Sequence, residues 1–368
     1  MHVAMILDRE RLRNEEPMLT RLCVGLLSEG ASLVRVVPDS MADLEAEREL
    51  ALAERVRYQA RPPFWMRGQR RKGILEHLQS KPPEVIYTAG TEAWLLAAAL
   101  ATALKVPLVL DVWSRGQIRP LAARRLSALR PVIVAASEGL RGWILERDAT
   151  ADVRVVSPGV TIPKEPAAVL EHADRQIAIA MLGRGSHTAS FRAALEATSA
   201  FLTQHPQAHL FLELEGAHDH QRWLEARQHD MLGRTSALTH AVHHRKLLAQ
   251  CDVALLPGAE AEVRTVVFDL MAGGVPLIVN RDPVFDCFNQ DGPVVLAHPP
   301  DDADAWAEPL NRMVTSPQAL RDLGLRGREL AKSDYRSSRQ AETLFGVFHD
   351  VLSGGAIPFA EAAKSQPV

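Results

Sequence analysis

Short apolar runs alternate with amphipathic helical stretches along this chain, and the series occurs twice. Residues 3–7, 33–37, 85–87, 108–111, 132–135 and 153–156 read as strands. Residues 16–29, 91–104, 118–129 and 137–146 fit between them with helical spacing. Buried strands separated by helices call for a parallel sheet covered on both faces. The segment Ser157-Pro-Gly-Val-Thr-Ile-Pro163 breaks the pattern, and a second series starts after it. Its expected strands are 177–182, 209–214, 253–256 and 277–279, and its expected helices are 190–203, 224–232, 243–250 and 264–272. Three closing helices are predicted at 304–315, 318–332 and 337–352. The reading is α/β: two Rossmann-like, doubly wound parallel-sheet domains facing across a cleft, with ligands at the carboxyl ends of the strands. The expected boundaries are 1–160, 161–336, a last helix at 337–353, and a poorly ordered polar tail at 354–368.

A chain of 368 residues is long enough for two such domains. Its formal net charge of −3 provides no global field to attract nucleic acid, and none is expected as a partner. Cys23, Cys251 and Cys287 are isolated and lack metal-type spacing, which suits buried thiols in a reducing compartment. The N-terminal MHVAMILDRE has neither the basic start nor the apolar core of a signal peptide. No apolar run approaches the roughly 20 residues that a membrane span needs. The expected location is the cytoplasm. Eight of the 14 histidines fall between His205 and His244, but without a consistent helical face, so they are expected to lie at the surface.

The most specific segment is 252–280, DVALLPGAEAEVRTVVFDLMAGGVPLIVN. It reads as a buried strand, a turn at Pro257-Gly258, a helix, a glycine stop and a second buried strand. With its frame Pro257 … Asp269-Leu-Met-Ala-Gly-Gly-Val-Pro276, it resembles the donor-sugar half of retaining, nucleotide-sugar-dependent glycosyltransferases of family four, which have the GT-B fold. Val155-Val-Ser-Pro-Gly-Val160 is similar to that family's linker. Ala180-Met-Leu-Gly-Arg184 is similar to its Gly-Arg strand end, and Leu320-Arg-Asp-Leu-Gly324 to its C-terminal course. The resemblance implies GT-B, with the last helix crossing back to the first domain. It implies transfer of a hexose from a nucleotide diphosphate sugar with retention, with no cofactor and no metal.

The resemblance also implies a site. Gly183 and Arg184 match the family's Gly-Arg, whose cation grips the diphosphate. The family's second cation, a Lys, falls on Ala189, and the Gly after it on Ser190. The first of two acids falls on Ala261, bracketed by Glu260 and Glu262, and a one-residue slip puts Glu262 in its place. The second acid, which holds the ribose, is Asp269. The glycine-rich turn between the two acids is here Glu262-Val263-Arg264-Thr265. Arg264 then either fills the phosphate pocket or supplies the missing cation, since a guanidinium suits phosphate well. The expected donor residues are therefore Gly183, Arg184, Glu262, Arg264, Thr265 and Asp269.

On the acceptor side, Pro107-Leu-Val-Leu-Asp-Val-Trp-Ser114 puts Trp113 where the family often has a His, with Asp111 as the nearest ionisable group. Asp111 and Trp113 are the catalytic candidates. Glu15 or Glu16 either faces the cleft or, as the favoured expectation, lies at a solvated helix start. Phe64, Trp65, Arg67, Arg70, Arg71 and Lys72 form an aromatic and cationic run. It is either a solvated helix start or a contact with the inner face of an anionic membrane, where a lipid-linked acceptor would lie. The acceptor, a glycan or lipid-linked sugar, is not specified. The competing function is a non-catalytic relative binding a sugar, nucleotide or protein. A sugar-phosphate epimerase on a double-Rossmann frame fits the motifs less well.

Overall fold

The computed structural model describes residues 1–41, 53–59, 63–167, 176–184, 188–216, 218–258, 261–289 and 292–354. The tail expected at 354–368 lies outside the described residues from 355 onward, and Glu260 lies outside them too. The chain divides into two compact units, one formed by Met1–Pro158 with Ser337–Val368 and the other by Gly159–Arg336.

The first unit is built on seven parallel strands: β1 (His2–Leu7), β2 (Ser32–Pro38), β3 (Glu54–Tyr58), β4 (Val85–Ala89), β5 (Leu108–Val112), β6 (Val132–Ala135) and β7 (Val153–Val155). Their order is β3-β2-β1-β4-β5-β6-β7. The strand order reverses between β1 and β4, which is the switch point of a doubly wound sheet. Helices α1 (Arg9–Ser28), α2 (Arg67–Ser80), α3 (Thr91–Leu104), α4 (Ile118–Leu121), α5 (Arg124–Ser127) and α6 (Glu138–Arg147) connect the strands. The stretch expected as one helix at 118–129 is thus two short ones.

Helix α1 starts seven residues earlier than its apolar spacing suggests, because Asp8 caps it by accepting a hydrogen bond from the Arg11 N–H at 2.8 Å. It kinks at Glu15 (φ −133°, ψ 22°), two residues before Pro17, where proline cannot support a regular helix. Glu15 and Glu16 are buried there, which corrects the expectation of a solvated helix start.

The second unit repeats the design with β8 (Ile177–Met181), β9 (Ala208–Glu213), β10 (Thr235–Leu238), β11 (Val253–Leu256), β12 (Leu277–Val279) and β13 (Val295–Leu296). All pairings are parallel, in the order β10-β9-β8-β11-β12-β13, so the switch point falls between β8 and β11. Helices α7 (Ala189–Gln204), α8 (Asp219–Gln228), α9 (Arg245–Leu248), α10 (Thr265–Gly273), α11 (Ala303–Thr315) and α12 (Pro317–Asp334) cover the sheet. A continuous apolar core runs from Ile179, Met181 and Leu255 on the strands to Phe191, Phe201, Trp306 and Leu310 on the helices. The last helix, α13 (Ser337–Ser353), packs on α1 in the first unit. There a Cβ added at Gly25 would stand 2.4 Å from the Ala341 Cβ.

The three strands that apolar runs did not reveal, β3, β10 and β13, are all edge strands. An edge strand is buried on fewer sides, and its sequence carries a correspondingly weaker apolar signal.

Candidate active site

At the switch point of the second unit, β8 runs out through Leu182, Gly183 and Arg184, and β11 ends at Pro257. The Gly183 N–H donates to the Glu213 carboxylate at 2.8 Å, and its carbonyl accepts from Arg222 at 2.5 Å. The carbonyl of Pro257 accepts from the Ser190 hydroxyl at 2.7 Å and from the Asn280 amide at 3.2 Å. Both strand ends are thereby fixed. Ser190, standing where the family places a glycine, is one of the residues that fix them.

Helix α10 begins here. Its N-cap residue, Arg264, makes no side-chain cap (φ −125°, ψ 124°), and the positive end of the helix dipole lies here. The Arg264 side chain turns inward instead. Its two terminal nitrogens donate to the two carboxylate oxygens of Glu213 at 2.9 and 2.5 Å. Glu213 closes β9 and is completely buried. Burial pushes its carboxyl up, but the charge and hydrogen bonds of Arg264, the nearby Arg184 and the Gly183 N–H outweigh burial and hold it below its ordinary value. Arg264 therefore does not stand as an unneutralised cation. Its charge is matched by an acid on the neighbouring strand.

Arg184 is the less committed cation. Its ion pairs are longer, 3.5 Å to Glu215 and 3.8 Å to Glu262, and 14% of its side chain is exposed. Glu262 thus faces Arg184. Ala261, where the family has its first acid, adopts a left-handed φ of 54°, and its N–H is held by Asp282 at 2.9 Å. Thr265 is buried in the first turn of α10. Asp269, one turn further along the same helix, is ion-paired with Arg245 of α9. Ala189 opens α7 and offers no charge. Gly183, Arg184, Glu262, Arg264 and Thr265 are thus gathered around the first turn of α10 and the ends of β8 and β9, with Asp269 farther along the helix. Glu213, Glu215, Arg245 and Asp282 are part of this arrangement and were not anticipated. The one signal for Glu213 was an acid closing an otherwise apolar strand, Leu210-Phe-Leu-Glu213.

The residues expected on the acceptor side belong to the first unit. Asp111 lies on β5 and accepts a hydrogen bond from the Tyr87 hydroxyl at 2.6 Å. Burial raises its pKa to about 6, while Arg11, Tyr87 and Trp113 pull the other way. Trp113 is only 1% exposed, and the Arg11 guanidinium covers its ring at 4.3 Å from the centroid. A sugar stacking on that face would have to displace Arg11. At this unit's own switch point, Asp8 occupies the place where an external anion would bind. Its carboxylate takes N–H groups from the starts of two helices, Arg11 at 2.8 Å and Glu92 at 3.3 Å. Gly90, at φ +99°, has no Cβ because one would fall 1.9 Å from that carboxylate.

Residues 176–316 match the model of the family described as Glycosyl transferases group 1. This segment is similar to group 1 glycosyltransferases. The fold of the whole chain is GT-B. The HepE protein of Anabaena, whose structure holds UDP and glucose, superposes with a TM-score of 0.74 at 13% identity, covering 94% of this chain and 99% of that one. Sucrose-phosphate synthase from Thermosynechococcus elongatus gives 0.74 at 15%, covering 96% and 100%. A putative UDP-N-acetylglucosamine 2-epimerase from Listeria monocytogenes gives 0.64 at 13%, covering 96% and 97%. No curated protein matches this sequence. The group 1 segment contains both sides of the second unit's switch point, Gly183-Arg184 and Pro257.

Among the described residues, no helix is long and apolar enough to cross a membrane. Phe64–Met66 forms a short 3-10 turn that leads into α2. Trp65 is 70% exposed, and Arg67, Arg71 and Lys72 point into solvent. Arg70 instead bonds the Gln59 carbonyl at 3.0 Å.

Proposed function

We propose that this chain transfers a hexose from UDP-hexose to a glycan or lipid-linked acceptor, with retention at the anomeric carbon. The observation that carries the reading is the convergence of Arg184, Glu262 and the uncapped start of α10 at the β8/β11 switch point of a segment similar to group 1 glycosyltransferases. A diphosphate is bound by cations and at helix starts, where the dipole favours an anion, and this arrangement has both. UDP is favoured as the nucleotide by HepE, which was also solved with UDP-glucose. Retention is favoured by the resemblance of the 252–280 frame to family four.

As the bond to the anomeric carbon breaks, negative charge grows on the departing diphosphate. Arg184 and the N–H groups of α10 stabilise that charge in place. The departing phosphate itself takes the acceptor's proton, so no dedicated base is required. Asp269 faces the ribose hydroxyls from α10. Asp111 and Trp113, both buried, shape the acceptor half from beneath rather than touching the sugar. Trp65 and the exposed cations of α2 are assigned to an anionic membrane surface.

A second reading is a binding protein without catalysis. It is favoured by the internal partner of each charge at the site: Glu213 for Arg264, Arg245 for Asp269, and Glu215 for Arg184. Calorimetry against UDP, GDP, ADP and their sugars separates the readings. Submillimolar binding of a uridine nucleotide and turnover of its sugar support transfer, and binding without turnover supports the second reading. Millimolar or weaker binding of all of them would sink both the donor assignment and the transferase reading.

A further inference from the structure

The pairing of Arg264 with Glu213 implies more than a filled pocket. We propose that Glu213 is a positioning residue that yields Arg264 to the donor diphosphate and takes a proton from solvent in its place. The inference rests on the nucleotide-sugar reading and adds to it a proton coupled to donor binding.

Arg264 is the N-cap residue of α10, so its backbone already stands at the helix start where the diphosphate is assigned. Its guanidinium is bonded to the Glu213 carboxylate through a fork of two bonds. A diphosphate offers the same fork geometry as a carboxylate and carries more charge, so a guanidinium can pass from one to the other with little movement. Glu213 cannot follow. It closes a central strand, is fully buried, and is tied to the Gly183 N–H.

Charged groups face this carboxylate from four elements. From the end of β8 come Arg184 and the Gly183 N–H, and from the start of α10 comes Arg264. From α8 come Asp219, an acid, and Arg222, which is engaged by the Gly183 carbonyl. Just beyond its own strand lies Glu215, with His240 at 3.2 Å from it, and Glu262 faces Arg184 from the α10 side. Once Arg264 turns to the diphosphate, Glu213 loses its two-bond fork and keeps the Gly183 N–H, with Asp219 nearby and the Arg222 cation engaged by the Gly183 carbonyl. A buried carboxylate stripped of its directly bonded cation is expensive, and protonation is the usual escape. The proton comes from solvent and resides on a Glu213 oxygen. The complex gains one proton, and no bond other than that O–H is made.

UDP-glucose is the right probe, because its diphosphate is esterified at both ends and carries a constant charge across neutral pH. Calorimetric titration of the full chain in buffers of different ionisation enthalpy reads the proton count directly. The expected result is uptake approaching about one proton per UDP-glucose, with affinity rising by up to about tenfold for each pH unit lowered within the coupled range. Glu213→Gln keeps the bond from the Gly183 N–H and removes the charge. It should bind more tightly at pH 8 and show no buffer dependence. Binding of UDP-glucose by the wild type with no proton uptake overturns the exchange while leaving the donor assignment standing. Uptake that persists in Glu213→Gln overturns it as well, as does binding by Glu213→Gln alone. Binding by neither protein removes the nucleotide-sugar reading, and this inference with it. The wild-type titration tests the exchange even if the variant fails to fold.

Discussion

Arg264 and Glu213 form a two-bond ion pair, at 2.9 and 2.5 Å, between the start of one helix and the end of a central strand, with Glu213 entirely out of solvent. Breaking such a pair from one side leaves an uncompensated buried charge, which costs about 3–5 kcal/mol, whereas removing both charges costs far less. Arg264→Met is therefore expected to destabilise by about that amount. Adding Glu213→Gln, which keeps the bond from the Gly183 N–H, is expected to recover most of the loss. Urea unfolding of the two single variants and the double variant measures the coupling. Simple additivity would show that the two residues stabilise the fold independently.

Arg184 is the opposite case. Its ion pairs, at 3.5 and 3.8 Å, are longer than ordinary hydrogen bonds, so its charge is less tightly committed to the fold than that of Arg264. A charge-assisted bond to a phosphate contributes roughly 1.5–3 kcal/mol. Arg184→Ala is expected to weaken UDP-glucose binding about ten- to a hundredfold while moving the melting temperature very little. A large fall in melting temperature with unchanged affinity would reassign Arg184 to the scaffold.

Asp111 makes stability depend on pH in a definite direction. Its ordinary value is 3.8, and burial raises it to about 6 in the folded chain. Between those values the native state holds more protons than the unfolded state, so this group's contribution falls as pH rises through the window and stays low above it. The span corresponds to about 3 kcal/mol. The stability of the wild type minus that of Asp111→Asn should fall by an amount of that order between pH 4 and pH 7. A flat difference would mean that Asp111 stays ionised throughout.

The scaffold was legible in the sequence where residues obey backbone rules. Gly274 closes α10 with φ +83°, and the glycine of Leu320-Arg-Asp-Leu-Gly324 meets it directly: a Cβ at Gly324 would stand 2.0 Å from the Gly274 carbonyl oxygen. The two motifs read separately at 269–276 and 320–324 are thus the two sides of one backbone contact, which neither motif revealed alone. The site was legible only as positions. Arg184, Arg264 and Asp269 could be placed on strand and helix ends by motif spacing, but their partners Glu215, Glu213 and Arg245 lie 24 to 51 residues away in sequence. No local pattern couples them, because pairing at that distance is set by sheet order and not by periodicity. Gly324→Ala is expected to destabilise by at least the upper end of the roughly 1–3 kcal/mol typical of overpacking, since the clash is with backbone that cannot swing away. Gly73→Ala, with nothing within 4 Å of its added Cβ, is the control and should be neutral or slightly stabilising. Similar losses for the two variants would refute the close contact.

Membrane contact has its own geometric basis. Among the described residues Trp65 is the most exposed of the large apolar side chains, and it sits at the head of a helix whose first turns carry Arg67, Arg71 and Lys72 outward. Lys72 is shared with Glu76 at 3.7 Å, an exposed pair that salt would weaken further. An indole at headgroup level with cations beside it suits an anionic leaflet, where each Lys or Arg adds about 1 kcal/mol of attraction. Flotation with vesicles containing phosphatidylserine should carry the protein upward at low salt and release it as salt rises. Trp65→Ala combined with Arg67→Glu and Arg71→Glu should abolish flotation without altering UDP-glucose binding, since these residues and the donor site belong to different units. Wild-type protein that stays with the soluble fraction at low salt would leave α2 as a solvated helix and remove the membrane from the reading of the acceptor.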